Sequence, residues 1–191
     1  MAILRVSVSL WRALRGMTLK KSRWLIPIMA LLVIAADQVS KYLVSTYLPL
    51  GGAWSPLPGP NPVFQIVYTY NTGVAFGLFK DLGPVFVLVA IVVITVLIVY
   101  SRHLTDDQML LRFALGLQLG GAFGNLIDRV VRGHVIDFID VGIGTTRWYV
   151  SNLSDISIVL GVILLGISML REERKQKKSN HGDTETQHAS N

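Results

Sequence analysis

The sequence predicts an all-α integral membrane protein: four transmembrane helices with a small exoplasmic β element and loop. Composition is the first reason. Hydrophobic residues make up 51% of the 191-residue chain and charged residues only 16%, against about 25% charged in an ordinary soluble domain. The mean hydropathy is +0.50. The second reason is a set of four apolar runs that approach the about 20 residues a spanning helix needs. The third is the placement of lysine and arginine on alternating sides of those runs. One domain suits this length. Cysteine is absent, so disulfides, thiolate metal sites and a cysteine nucleophile fall away.

Taken in chain order, residues 1–23 form a basic cytoplasmic N-terminal extension with six Lys and Arg. It is not a cleavable signal peptide, because the apolar run behind it is long and leads to further spans. Residues 3–15 have the pattern of a short basic amphipathic helix on the membrane surface, with a weakly structured extension, and a start at Met17, as the alternative. The four-span unit is 24–170, with spans at about 24–44, 82–101, 109–130 and 154–170. The run "LGPVFVLVAIVVITVLIVYS" carries no charge between Asp81 and Arg102. Between the first two spans, "PLGGAWSPLPGPNP" is turn-rich, and "VFQIVYTY" has the β-branched and aromatic content of a strand, closed by "NTG". Residues 171–191 read as a disordered cytoplasmic tail.

Lys and Arg set the direction. Thirteen lie in the N-terminal extension, the second loop and the tail; four lie in the first and third loops. Both termini are therefore expected in the cytoplasm. The pI near 9.8 does not imply a nucleic-acid partner, since no stretch interleaves basic and aromatic residues on one face.

This direction gathers carboxylates at one level. Asp37 lies in the outer half of the first span, Asp128 at the outer end of the third, and Asp155 at the outer start of the fourth. Asp137 and Asp140 fall in the loop between the last two. Ionisable residues in membranes are expensive and usually functional. Asp37 and Lys41 are four apart on one helical face and fit an ion pair. Gly116, Gly120 and Gly124 have small-xxx-small spacing for close helix approach. Gly121, Asn125 and Asp128 form a polar stripe beside it. Plainer roles also exist: Asp37–Lys41 and Asp128–Arg129 as structural pairs, Asp155 as the cap of the fourth span, Asp140 as a solvated loop residue.

Several chemistries lack their residues. There is no G-x-S-x-G, no H-E-x-x-H and no phosphate loop with its lysine. Of four histidines, only His134 is near the carboxylates. No metal and no cofactor is expected. Paired aspartates remain: two carboxyls in contact share a proton, the ionised one activates water, and the protonated one hydrogen-bonds the scissile carbonyl. A small transporter using the same charged groups and a structural subunit are the rival readings.

Five blocks then carry a resemblance: "DQVSK" (37–41), "NTGVAF" (71–76), "GGAFGNLIDR" (120–129), "VIDFID" (135–140) and "SNLSD" (151–155). In this order on a four-span frame, the chain resembles the lipoprotein signal peptidases, the type II signal peptidases of the bacterial inner membrane, over roughly 24–170. The resemblance implies a catalytic dyad of Asp137 and Asp155. It implies that Asp37, Lys41, Asn71, Gly121, Asn125, Asp128, Arg129, Asp140 and Asn152 line or support the site. It further implies an aspartyl endopeptidase, multi-pass in the inner (plasma) membrane, with its site near the exoplasmic face. The substrate class would be diacylglyceryl-prolipoproteins, cut before the lipidated cysteine. Membrane lipid as surroundings, inhibition by globomycin and a monomeric state belong to the same expectation. Ser151 and Ser154 depart from the family's usual Phe and Ala, which puts the packing at the start of the fourth span in question. The β element and the 139–150 loop are expected to close over substrate.

Overall fold

The computed structural model describes residues 24–56, 59, 62–72 and 83–188. The basic extension at 1–23, the rest of the "NTGVAF" block from Gly73 on, and the first residue of the expected second span lie outside the described residues. Four helices are long and apolar enough to cross a membrane. They are α1 (Leu25–Tyr47), α2 (Gly83–Ser101), α3 (Met109–Arg132) and the first 19 residues of α4 (Leu153–His188).

Helix α3 is the centre of the bundle. Some 72% of its apolar window is buried, against 6% for α2. The reason is legible in its glycines. A Cβ at Gly116 or Gly120 would meet Met29 and Val33 of α1 at 2.6 Å, so these two glycines seat α1. Gly121, one position round the helix, faces Ser154 and Ile158 of α4 instead. The close approach runs both ways, since Gly161 of α4 lies against Ala114 and Gln118. Ile26, Ile94, Leu115, Leu119 and Ala122 fill the core between α1, α2 and α3. Helix α2 leaves Leu88, Val92, Val96 and Val99 exposed, as a helix facing hydrocarbon does.

Strands β1 (Ala53–Trp54), β2 (Phe64–Asn71), β3 (Val135–Ile143) and β4 (Thr146–Arg147) form one antiparallel sheet in chain order. The segment "VIDFID", expected as loop, is therefore a strand. It is recruited by β2, which supplies the ladder its own sequence could not advertise. Gly133, with φ +75°, ends α3 and turns the chain directly into β3. The 139–150 segment is largely the β3–β4 hairpin, turned at Gly144.

The tail also differs. Helix α4 runs on to His188 instead of ending near 170. Arg, Glu, Lys and Gln are good helix formers, and extending an existing helix avoids the nucleation penalty that an isolated polar segment meets.

Candidate active site

Helix α1 contributes its C-terminal half, α3 its C-terminal end and α4 its N-terminal end, so the polar residues of three helices meet at one end of the bundle. The sheet joins them there. Ser151 accepts hydrogen bonds from Phe138 and Ile139 N–H, both at 2.8 Å, and donates its own N–H to Ile139. This clasp brings the start of α4 alongside β3.

The first group of carboxylates is neutralised by cations. Lys41 Nζ lies 2.7 Å from Asp37 Oδ2 and 2.8 Å from Asp128 Oδ2, and all three side chains are fully buried. Asp128 also pairs with Arg132, one turn on. Gln38 donates to both carboxylates and accepts from Arg132 at 3.0 Å. Asp128 Oδ2 takes the Ile136 N–H at 3.3 Å, which fixes the strand residue next to Asp137. Asp37 Oδ1 accepts the Ser154 N–H at 3.0 Å, a capping contact supplied from another helix.

Asp137 and Asp155 are held differently. Asp137 accepts from Asn71 Nδ2 at 3.0 Å and from Asn152 Nδ2 at 2.7 Å. Asp155 accepts from Asn125 Nδ2 at 2.8 Å. Among the described residues, neither forms an ion pair. Burial pushes the Asp137 carboxyl up to about 6. The Asn71 and Asn152 hydrogen bonds and Lys41 pull it back, while the charge of neighbouring Asp155 adds to the rise.

Asn71 reaches Asp137 because of an irregularity in β2. Ile66 pairs with Ile139, yet Thr69 pairs with Asp137, so one extra residue is inserted in β2. Such a bulge reverses which side chains share a face. Gln65 thereby meets Asp140 on one face while Asn71, diagonal to Asp137, serves the other.

The expected site residues are thus sorted by the structure. Asp37, Lys41, Asn125 and Asp128 form one network. Asp137, Asp155, Asn71 and Asn152 form the adjoining group. Gly121 is the contact surface for the first turn of α4. Asp140 is brought to neither. It pairs with Arg147 at 2.9 Å and takes Gln65, while Arg147 also donates to Pro62 O at 2.6 Å. Asp140 pins the hairpin to β2, and is buried with a partner instead of solvated in a loop. Arg129 donates to Asn125 O at 3.2 Å and lies 5.8 Å from the Phe86 ring centre; the ion pair expected of its neighbour Asp128 goes to Arg132. The cap of α4 is Asn152, whose Oδ1 accepts the Asp155 N–H at 3.0 Å, leaving the Asp155 side chain for other work.

Gln38, Gln65, Arg132 and Arg147 were not singled out in the sequence. Arg132 was discoverable, since it stands four residues after Asp128 on one helix. Tyr149 also belongs here: burial, and then the charges of Asp155 and Asp137, raise its phenol above the usual range. Its place depends on the β3–β4 hairpin, which no local signal announces. Among the described residues no three His, Cys, Asp or Glu are grouped to hold a metal ion.

Fold and site together define a multi-pass membrane protein with a buried, charge-compensated network beside two amide-held aspartates at one end of its bundle. The family model described as signal peptidase (SPase) II matches residues 29–171. The chain is 44% identical over 149 residues to the lipoprotein signal peptidase of Bacillus subtilis, covering 78% of this chain and 95% of that protein. It is 44% identical over 138 residues to that of Moorella thermoacetica, covering 72% and 87%. Among solved structures, a bacterial membrane enzyme determined by the in meso method superposes with a TM-score of 0.68 at 30% identity, covering 76% of this chain and 87% of that one. The chain belongs to the signal peptidase II family, a family of membrane proteases.

Proposed function

We propose that this protein is an intramembrane aspartyl endopeptidase that removes the signal peptide from diacylglyceryl-modified prolipoproteins, cutting before the lipidated cysteine. Asp137 and Asp155 activate the water. The observation that carries this reading is the way the carboxylates divide: Asp37, Asp128 and Asp140 are paired with cations, whereas among the described residues Asp137 and Asp155 take side-chain hydrogen bonds from amides alone. A cation in contact would hold a carboxylate permanently ionised. Amides orient it and leave it free to take a proton.

The two carboxyls share one proton and titrate as a pair. The ionised member accepts a proton from water as the water oxygen attacks the scissile carbonyl carbon. The protonated member donates a hydrogen bond to the carbonyl oxygen and stabilises the tetrahedral intermediate. Collapse of that intermediate returns a proton to the departing amine. No cofactor takes part. The lysine and arginine distribution supports both termini in the cytoplasm and the site near the exoplasmic face of the inner membrane, where a lipidated cysteine would lie. The β2–β3–β4 sheet, pinned by Asp140–Arg147, would cover the substrate; inhibition by globomycin and a monomeric working state are part of the same reading.

Asp137→Asn and Asp155→Asn, each purified folded, test it. Cleavage of a lipidated precursor should fall by about 10²–10⁴-fold in either variant. Normal processing by one of them would remove the dyad.

A further inference from the structure

Lys41 has three N–H donors and no acceptor. Two of them serve Asp37 Oδ2 and Asp128 Oδ2. The third points to Asn125 Oδ1, at 3.3 Å. Neutralising the two aspartates would not require this third contact, because Arg132 already pairs with Asp128 and brings two cations to two carboxylates. The cluster is charge-balanced, so its long-range field on its surroundings largely cancels. What survives is local and directional.

An amide offers oxygen on one side and N–H₂ on the other. Were Asn125 turned over, its N–H₂ would face the Lys41 ammonium and its oxygen would face the Asp155 carboxylate. Both contacts are repulsive, in a site too dry to screen them. With the ammonium in place, Asn125 has one stable direction, and Nδ2 must donate to Asp155, as it does at 2.8 Å. The second amide is oriented on the same logic by a different immobile donor. Asn152 Oδ1 accepts the Asp155 N–H at 3.0 Å, which turns its Nδ2 to Asp137 at 2.7 Å.

We propose that Lys41 is a positioning residue of the peptidase site: it fixes the direction of the Asn125 amide, and through it keeps a hydrogen-bond donor on Asp155 that favours the ionised form of that carboxyl. This rests on the dyad reading above. The charged and titratable groups that face Asp155 are Asp137 from β3, Asp37 and Lys41 from α1, Arg129 from α3, and Tyr149 from the segment before α4.

The test measures kcat/KM against pH on a lipidated prolipoprotein, with thermal unfolding in the same detergent. Asn125→Leu is nearly isosteric and adds no charge, yet can neither accept from Lys41 nor donate to Asp155. Lys41→Met alone strands buried carboxylates and risks misfolding, so it is combined with Asp37→Asn, which keeps the charge balance. Both variants should unfold cooperatively, and in both the acidic limb should move to higher pH by on the order of one pH unit. At a pH on that limb the loss would be about tenfold, recovering as pH rises. Lys41→Arg should restore the wild-type limb. A purely structural lysine would lower stability and amplitude and leave the limb in place. A folded Lys41→Met/Asp37→Asn protein with an unmoved limb overturns the proposal, as does an unmoved limb in Asn125→Leu. Failure of the dyad reading is separately visible, because Asp155→Asn would then remain active.

Discussion

Replacing Gly121 with alanine separates packing from chemistry at this site. In a helix interior this change normally stabilises by about 1 kcal/mol. Here the new Cβ would lie 2.8 Å from Ile158 Cγ1, where ordinary contact begins at 3.4 Å, and would collide with the Ser154 carbonyl oxygen. Ile158 can adjust its side chain. Ser154 O is backbone in the first turn of α4, so that turn must move away from α3. Overpacking of this kind costs about 1–3 kcal/mol, leaving a net loss of up to about 2 kcal/mol after the propensity gain. For a chain of this size the unfolding temperature should drop by up to about 8 °C. Activity should suffer more. The displaced turn carries Asp155, and its Asn152 cap orients the donor on Asp137; a displacement of about 1 Å at a reacting group can lower the rate about 10²-fold.

The control is Gly166→Ala, farther along α4, where a Cβ has nothing within 4 Å. It should be neutral or stabilising by up to about 1 kcal/mol, with full activity. The two variants are compared by thermal unfolding in detergent and by release of the signal peptide from a lipidated precursor. Wild-type cleavage by Gly121→Ala, or equal losses in both variants, would refute the placement of α4 against α3.

Three other outcomes follow from the same geometry. Asn71→Ala removes a donor that holds the Asp137 carboxyl down; the carboxyl should rise further above about 6, and the alkaline limb of the pH–rate profile should move to higher pH. Asp137 is itself raised from its unfolded value, so the folded state binds this proton more tightly, and the associated stability is lost as pH climbs from about 4 to about 6; Asp137→Asn should therefore unfold with a flatter pH dependence across that window, and a parallel curve would contradict it. The Ser154 hydroxyl is buried without a hydrogen-bond partner among the described residues, so Ser154→Ala should stabilise by about 1 kcal/mol; a lower unfolding temperature would show that the hydroxyl has a role.

How much of this was written in the sequence depends on how local each signal was. The spans were legible because bilayer thickness and hydropathy leave few alternatives. Asp37–Lys41 was legible from four-residue spacing, and the glycine stripe from three- and four-residue spacing, although Gly121 turned out to serve α4 and not merely a polar face. The strand at "VIDFID" was not legible. Its pairing with β2 joins residues some seventy positions apart, and its register depends on a bulge no composition marks. The plainer reading of Asp155 as the cap of α4 could not be decided locally, because four residues in "SNLSD" are of capping type; only the fold shows that Asn152 takes the backbone. Asp140 was missed as a hairpin anchor for the same reason that Arg147 was, since each is informative only once the other is beside it. The five-block resemblance put these residues in one site but assigned them no geometry, and Asp140 lies with Arg147 and Gln65 instead.

If the proposed dyad is the reacting pair, the membrane setting explains why the site holds so many charged residues for a reaction that uses two. A dyad must sit in a dry place to hold a shared proton, yet burying two carboxylates without cations penalises their ionisation, as the rise of Asp137 records. Among the described residues no lysine is brought into contact with the pair, where it would favour the ionised state of both. The fold places the cations one step back, on Asp37 and Asp128, and transmits their effect through neutral amides. Asn125 stands between Lys41 and Asp155, and Asn152 between the α4 backbone and Asp137. Amides give direction without charge, so the dyad is oriented and remains able to exchange its proton. On the proposed dyad reading, the paired and fully buried aspartates are thus the scaffold, and the two that have no cation among the described residues are the ones equipped to react.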